Sequence, residues 1–149
     1  MNHIDPHTAA KVWERVKAPP VNTEADTIRS LMAEELLDAL TYQRLAKKLP
    51  PTQGLIARQL AQQEQAHAVC LKGIYTMLTG STPNLPTPAP QDDPPQVILR
   101  RCYGREMRCL AQYEARQNDP QYGHVFQRLA REEQEQCRKL LELLGMLTK

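Results

Sequence analysis

The chain carries the same helical hairpin twice, and in each copy glutamates stand in the middle of the stripe that has to be buried. Glu35 precedes Tyr42 by seven residues, and Glu106 precedes Tyr113 by the same interval. The partner segments align without gaps, Leu60-Ala61-Gln62-Gln63-Glu64-Gln65-Ala66-His67 against Leu129-Ala130-Arg131-Glu132-Glu133-Gln134-Glu135-Gln136. Leu, Ala and Glu coincide, while His67 faces Gln136. A repeat of this kind is one supersecondary unit used two times, and each unit needs the other to cover its apolar side.

Within Val21 to Lys48, Ile28, Leu31, Glu35, Ala39, Tyr42 and Leu45 follow one another at intervals of three or four, with Thr23 available as a cap. Pro50-Pro51 ends this helix, and Thr52 is placed to cap a second one, which carries Leu60, Glu64, His67, Leu71, Ile74 and Leu78 on one stripe and stops at Gly80. The short turn makes the two antiparallel. A third helix runs from near Pro95 through Leu99, Cys102, Glu106, Leu110 and Tyr113. Asp119-Pro120, a cap and a first-turn proline, opens a fourth with Phe126, Leu129, Glu133, Gln136, Leu140 and Leu144 on its stripe. Almost nothing alternates with period two and aromatic content is only 5%, so the expected class is all-α.

Residues 80–95 hold too many prolines to be helical. About 15 extended residues reach roughly 45 to 50 Å, against roughly 38 Å for a helix of about 25 residues, so the segment can travel the length of a bundle. Four helices with one long middle crossover form a ferritin-like antiparallel four-helix bundle. A flexible interdomain linker is the alternative, disfavoured because neither hairpin alone covers its own apolar face. The predicted organisation is an N-terminal helix and linker over residues 1–22 and the bundle over 23–149. Thr8 to Lys17 gathers Val12, Trp13 and Val16 on one side, a surface expected to dock on the bundle or on a second copy in a homodimer.

Charge and cysteine pattern exclude several classes. Lys and Arg total 19 against 17 Asp and Glu, a net charge of +2 that argues against nucleic acid or an anionic membrane as partner. The N-terminus lacks the build of a secretory signal and no apolar run approaches the roughly 20 residues that span a bilayer, so a cytoplasmic protein is expected. Cys70, Cys102, Cys109 and Cys137 are too far apart for Cys-x-x-Cys pairs, which disfavours a rubredoxin-like iron site or a zinc ribbon. Cys102, Cys109 and Cys137 read as small buried apolar residues.

A charge in the middle of an apolar stripe costs several kcal/mol unless it is neutralised or paired. Leu31 and Ala39 flank Glu35, Leu60 and Leu71 flank Glu64, Cys102 and Leu110 flank Glu106, and Leu129 and Leu140 flank Glu133. Arg44, Arg101, Arg105 and Arg131 fall off these stripes, so arginine partners are not expected. Two divalent cations would balance four carboxylates, and the Glu64-x-x-His67 spacing lets a carboxylate and an imidazole reach one ion. Glu35, Glu64, His67, Glu106 and Glu133 are therefore candidate ligands of a dinuclear centre. The alternative is a metal-free bundle with protonated or water-bridged glutamates. His124 is rotated to the opposite face, and His3 and His7 are read as solvent residues.

From about Thr23 to Leu147 these motifs resemble the rubrerythrin branch of the ferritin-like superfamily. Its Glu-x6-Tyr is matched by Glu35 and Tyr42, its Glu-x-x-His by Glu64 and His67, and its third and fourth helices by Glu106 and Glu133. The resemblance implies two iron ions, with manganese or a mixed pair compatible with the same ligand types. It also implies reduction of hydrogen peroxide or dioxygen with electrons from outside, from a rubredoxin or a flavin reductase. Tyr42 and Tyr113 would hydrogen-bond to the ligating carboxylates, or simply pack. Two positions depart from the pattern: Gln136 stands where a second histidine is usual, and Cys109 where an extra glutamate is common. Gln136 and Asp38, the counterpart of Cys109 in the first half, are further candidate ligands, expected to flank one ion while His67 serves the other; a partly solvated acid is the equal alternative for Asp38. The competing reading is a non-catalytic metal-binding or structural bundle.

Overall fold

A computed structural model describes residues 23–148. They form four α-helices, α1 (Thr23–Ala46), α2 (Pro51–Thr79), α3 (Pro95–Glu114) and α4 (Gly123–Leu147), and no strand occurs among the described residues. The all-α expectation holds. The N-terminal helix, Trp13, His3 and His7 lie outside the described residues. No described helix is long and apolar enough to cross a membrane.

Helix α1 packs chiefly on α2 and α3 chiefly on α4, with thinner seams joining α2 to α4 and α1 to α3. Side-chain bonds across the seams fix the helix directions. Glu35 and Tyr42 of α1 meet Tyr113 and Glu106 of α3, and Glu24 meets Arg116 just past the end of α3, so numbers rise on one helix as they fall on the other. Glu64 and His67 of α2 likewise meet Gln136 and Glu133 of α4. Both seams are antiparallel, and the helices close a four-helix bundle.

The third helix starts at Pro95 as expected, while the capping of the second and the start of the fourth differ from the sequence expectation. Helix α2 begins at Pro51 with Pro50 before it and no side-chain cap, so Thr52 does not cap it; Pro94 and Pro95 open α3 the same way. Proline needs no partner for an N–H it lacks and has its φ already set, so it can start a helix uncapped. Helix α4 begins at Gly123 rather than at Asp119-Pro120. Asp119 Oδ1 accepts the backbone N–H groups of Gln121 at 2.9 Å and Tyr122 at 2.7 Å, closing a turn ahead of the helix. Gly80 ends α2 as expected, at φ 73°, with its N–H donating to Thr76 O at 2.8 Å.

Between α2 and α3 the chain is non-helical. Leu85 packs against the apolar cluster that contains Ile28, Ile74 and Phe126, whereas Asp92 pairs with Lys48 just beyond the end of α1. Two apolar layers make the core. One holds Ile28, Leu31, Leu71, Ile74, Tyr113 and Phe126; the other holds Tyr42, Leu45, Leu60, Leu99, Cys102 and Leu140. Cys102, Cys109 and Cys137 are buried free thiols, as expected, and burial pushes Cys102 up to about 12 and Cys137 up to about 11.

Candidate metal centre

A polar layer separates the two apolar ones, because on each helix the acids sit between residues of the two clusters. Glu35, Asp38, Glu64, His67, Glu106, Glu133 and Gln136 are each at most 2% exposed. Every ligand candidate drawn from the sequence thus reaches the interior, and Asp38 is no half-solvated surface acid. Glu35, Glu64, His67 and Glu133 bring one ligand atom each to within 4.8 Å of one another, and Asp38, Glu64 and Glu106 do the same. Glu64 belongs to both groups. His124 is exposed on the outer face, as its register requires.

Hydrogen bonds orient these groups. Tyr42 Oη donates to Glu106 Oε1 at 2.8 Å and Tyr113 Oη donates to Glu35 Oε1 at 2.5 Å, so each tyrosine holds the glutamate of the other hairpin. His67 Nδ1 lies 3.0 Å from Glu133 Oε1 and 3.6 Å from Glu35 Oε2, facing the layer. Its Nε2 lies 2.7 Å from Glu132 Oε2, and Gln63 Nε2 donates to the same oxygen at 2.7 Å. A carboxylate on Nε2 keeps the proton there and leaves Nδ1 free to serve as a ligand. Gln136 donates its amide to Glu64 Oε1, so it offers a hydrogen bond where the other half of the repeat offers an imidazole.

Electrostatics show the cost of the arrangement. Glu35 Oε2, Glu106 Oε2 and Glu133 Oε2 are buried with no hydrogen-bond partner. Burial pushes the Asp38 and Glu106 carboxyls up to about 8, and burial together with Glu35 and Glu106 raises Glu133 well above its ordinary range. Burial alone would lower His67, but Glu35 and Glu132 outweigh it and raise the imidazole. Burial, then the adjoining Glu106 and Glu35, raises Tyr42 and Tyr113 and keeps both phenols protonated.

One expectation is overturned. Arg105 is not a bystander: its Nε donates to Asp38 Oδ1 at 2.6 Å. Helical register places its Cα off the stripe, but a long guanidinium arm reaches back to the neighbouring helix. Sequence reasoning also passed over Glu132 and Gln63. The signal was present, since the two occupy equivalent positions of the repeat, each one residue before a core glutamate.

Three surviving features favour cations here: a nitrogen donor aimed at carboxylates, lone oxygens without partners, and two overlapping ligand groups that share a carboxylate. Carboxylate oxygens with a single imidazole form a group that could hold a metal ion. Compared with known protein families, with curated proteins and with solved structures, the chain matches none.

Proposed function

We propose that this chain is a ferritin-like bundle, its residues 80–94 serving as the crossover between α2 and α3, and that it holds a dinuclear metal centre of rubrerythrin-like function. The observation that carries this reading is the trio of buried oxygens without a hydrogen-bond partner on Glu35, Glu106 and Glu133, which converge with His67 in a layer bounded along the bundle by apolar side chains. Such atoms are costly in a metal-free interior and become ligands when cations are present.

Glu35, Glu64, His67 and Glu133 would hold one ion and Asp38, Glu64 and Glu106 the other. Iron bound there would supply redox chemistry suited to reducing hydrogen peroxide or dioxygen, and manganese or a mixed pair would suit the same donors. The chain's own part is positional. Tyr42 and Tyr113 hold one oxygen of Glu106 and of Glu35, leaving the second oxygen of each for a cation. Glu132 keeps the proton of His67 on Nε2. Leu31, Leu71 and Phe126 on one side and Leu60, Leu99 and Leu140 on the other cover the layer along the bundle. Electrons would come from a separate donor such as a rubredoxin or a flavin reductase, because the sequence holds no Cys-x-x-Cys pair.

A second reading is a bundle that binds metal without turnover, favoured by the Gln136 amide on Glu64 in place of a second imidazole. Anaerobic loading with ferrous iron followed by hydrogen peroxide separates the two. Rapid oxidation in proportion to bound iron, with little radical damage, is expected for the enzyme; slow oxidation identifies the binding protein.

A further inference from the structure

Arg105 breaks the internal symmetry of the polar layer. The repeat sets Glu35 against Glu106 and Glu64 against Glu133, so His67 beside Glu133 corresponds to Gln136 beside Glu64. By the same register Arg105 beside Asp38 corresponds to Glu34 beside Cys109, where Cys109 Sγ donates to Glu34 Oε2 at 3.2 Å. In space, therefore, the ligand group with the imidazole has the Cys109 thiol beside Glu35 and Glu133, and the group beside the Gln136 amide has an acid and a guanidinium. Partnerless oxygens follow the same division. Glu35 Oε2 and Glu133 Oε2 belong to the His67 group, while in the other group Glu106 Oε2 is orphaned and Asp38 carries Arg105.

Arg105 stands between this layer and the outside. Its side chain is 16% exposed, and it forms one wall of a cavity of about 280 Å³ together with Leu37, Thr41, Pro90, Gln91 and Arg101. A guanidinium leaving Asp38 has room there, and the side-chain oxygen of Thr41 can accept its N–H groups, as can the second lone pair of Gln91 Oε1, which already takes Arg101 Nη1 at 3.1 Å.

Building on the metal-binding reading above, we propose that Arg105 is an internal counter-ion that competes with the second cation: it neutralises Asp38 while only the His67 group is filled, and yields Asp38 by turning into the cavity beneath residues 89–91. A fixed positive charge beside a ligand opposes a second one arriving there. The two positions then fill in order, the His67 group first.

Titration with zinc, a diamagnetic probe, followed by calorimetry on the full chain and its Arg105→Gln variant tests this. The wild type is expected to take up zinc in two resolved steps, and Arg105→Gln to leave the first unchanged while tightening the second on the order of tenfold or more. A variant that binds one ion as the wild type does, or whose second step is unaltered or weaker, overturns the proposal and leaves the metal reading standing. If neither protein binds zinc, the metal reading falls and the counter-ion role with it. Should Arg105→Gln fail to fold, the Nε–H resonance of Arg105 in the wild type decides. Movement with the second equivalent supports the proposal; movement with the first, or none, overturns it.

Discussion

The orientation of His67 depends on Glu132, which takes Nε2 at 2.7 Å while Nδ1 turns to Glu133 at 3.0 Å. Removing a partner of this kind typically lowers metal affinity about 10- to 100-fold. Glu132→Ala is expected to weaken the tighter cation by that factor in a zinc or cobalt titration, with Glu132→Gln recovering part of it; an unchanged affinity contradicts the positioning role. The four core glutamates and His67 were legible in the sequence because helical register decides which Cβ faces inward. Arg105 was not, because register follows the start of a side chain and not its tip, and its long arm crosses to another helix; Glu132 was overlooked although the repeat pairs it with Gln63. The tyrosine spacing marked Tyr42 and Tyr113 as neighbours of the acids, but only the packing of α1 on α3 reveals that each serves the opposite hairpin.

Each helix is a periodic stripe punctuated by proline or glycine, and the stripes gave the elements more reliably than the punctuation gave their ends. The start of α4 illustrates why: Asp119-Pro120 reads as cap and first turn, yet the Asp119 side chain closes its own turn and the helix waits for Gly123. A Cβ on Gly123 would lie 2.5 Å from Gln117 O, so this backbone contact admits only glycine. Gly123→Ala is expected to destabilise the bundle by about 1–3 kcal/mol, the range for overpacking a tight site, seen as a lower midpoint in chemical denaturation. An unchanged midpoint would show that the turn relaxes freely. Farther along α4, Phe126 stacks on Tyr113 with ring centroids 6.4 Å apart, tying the apolar layer to the tyrosine that holds Glu35. Phe126→Ala is expected to cost about 3–5 kcal/mol, and a thermal melt that does not shift would contradict that coupling.

Taken whole, the molecule is two apolar layers around a slab of acid, and its stability should depend on what occupies the slab. Glu106 rises from 4.5 in the unfolded chain to about 8 in the fold. The stability tied to its protonation is complete below the unfolded value and is lost as pH climbs through about 8, because the unfolded chain ionises first. Metal-free protein in chelator is therefore expected to melt at progressively lower temperature from pH 5 to pH 9, whereas metal-loaded protein holds its melting temperature; parallel profiles would mean that cations do not relieve the slab. The most direct examination is anomalous diffraction from crystals grown with manganese salt. Two peaks roughly 3.5–4 Å apart among Glu35, Glu64, His67, Glu106 and Glu133 are the expected result. A layer with no anomalous peak, its carboxylates closed on one another or on water, would contradict the metal centre outright.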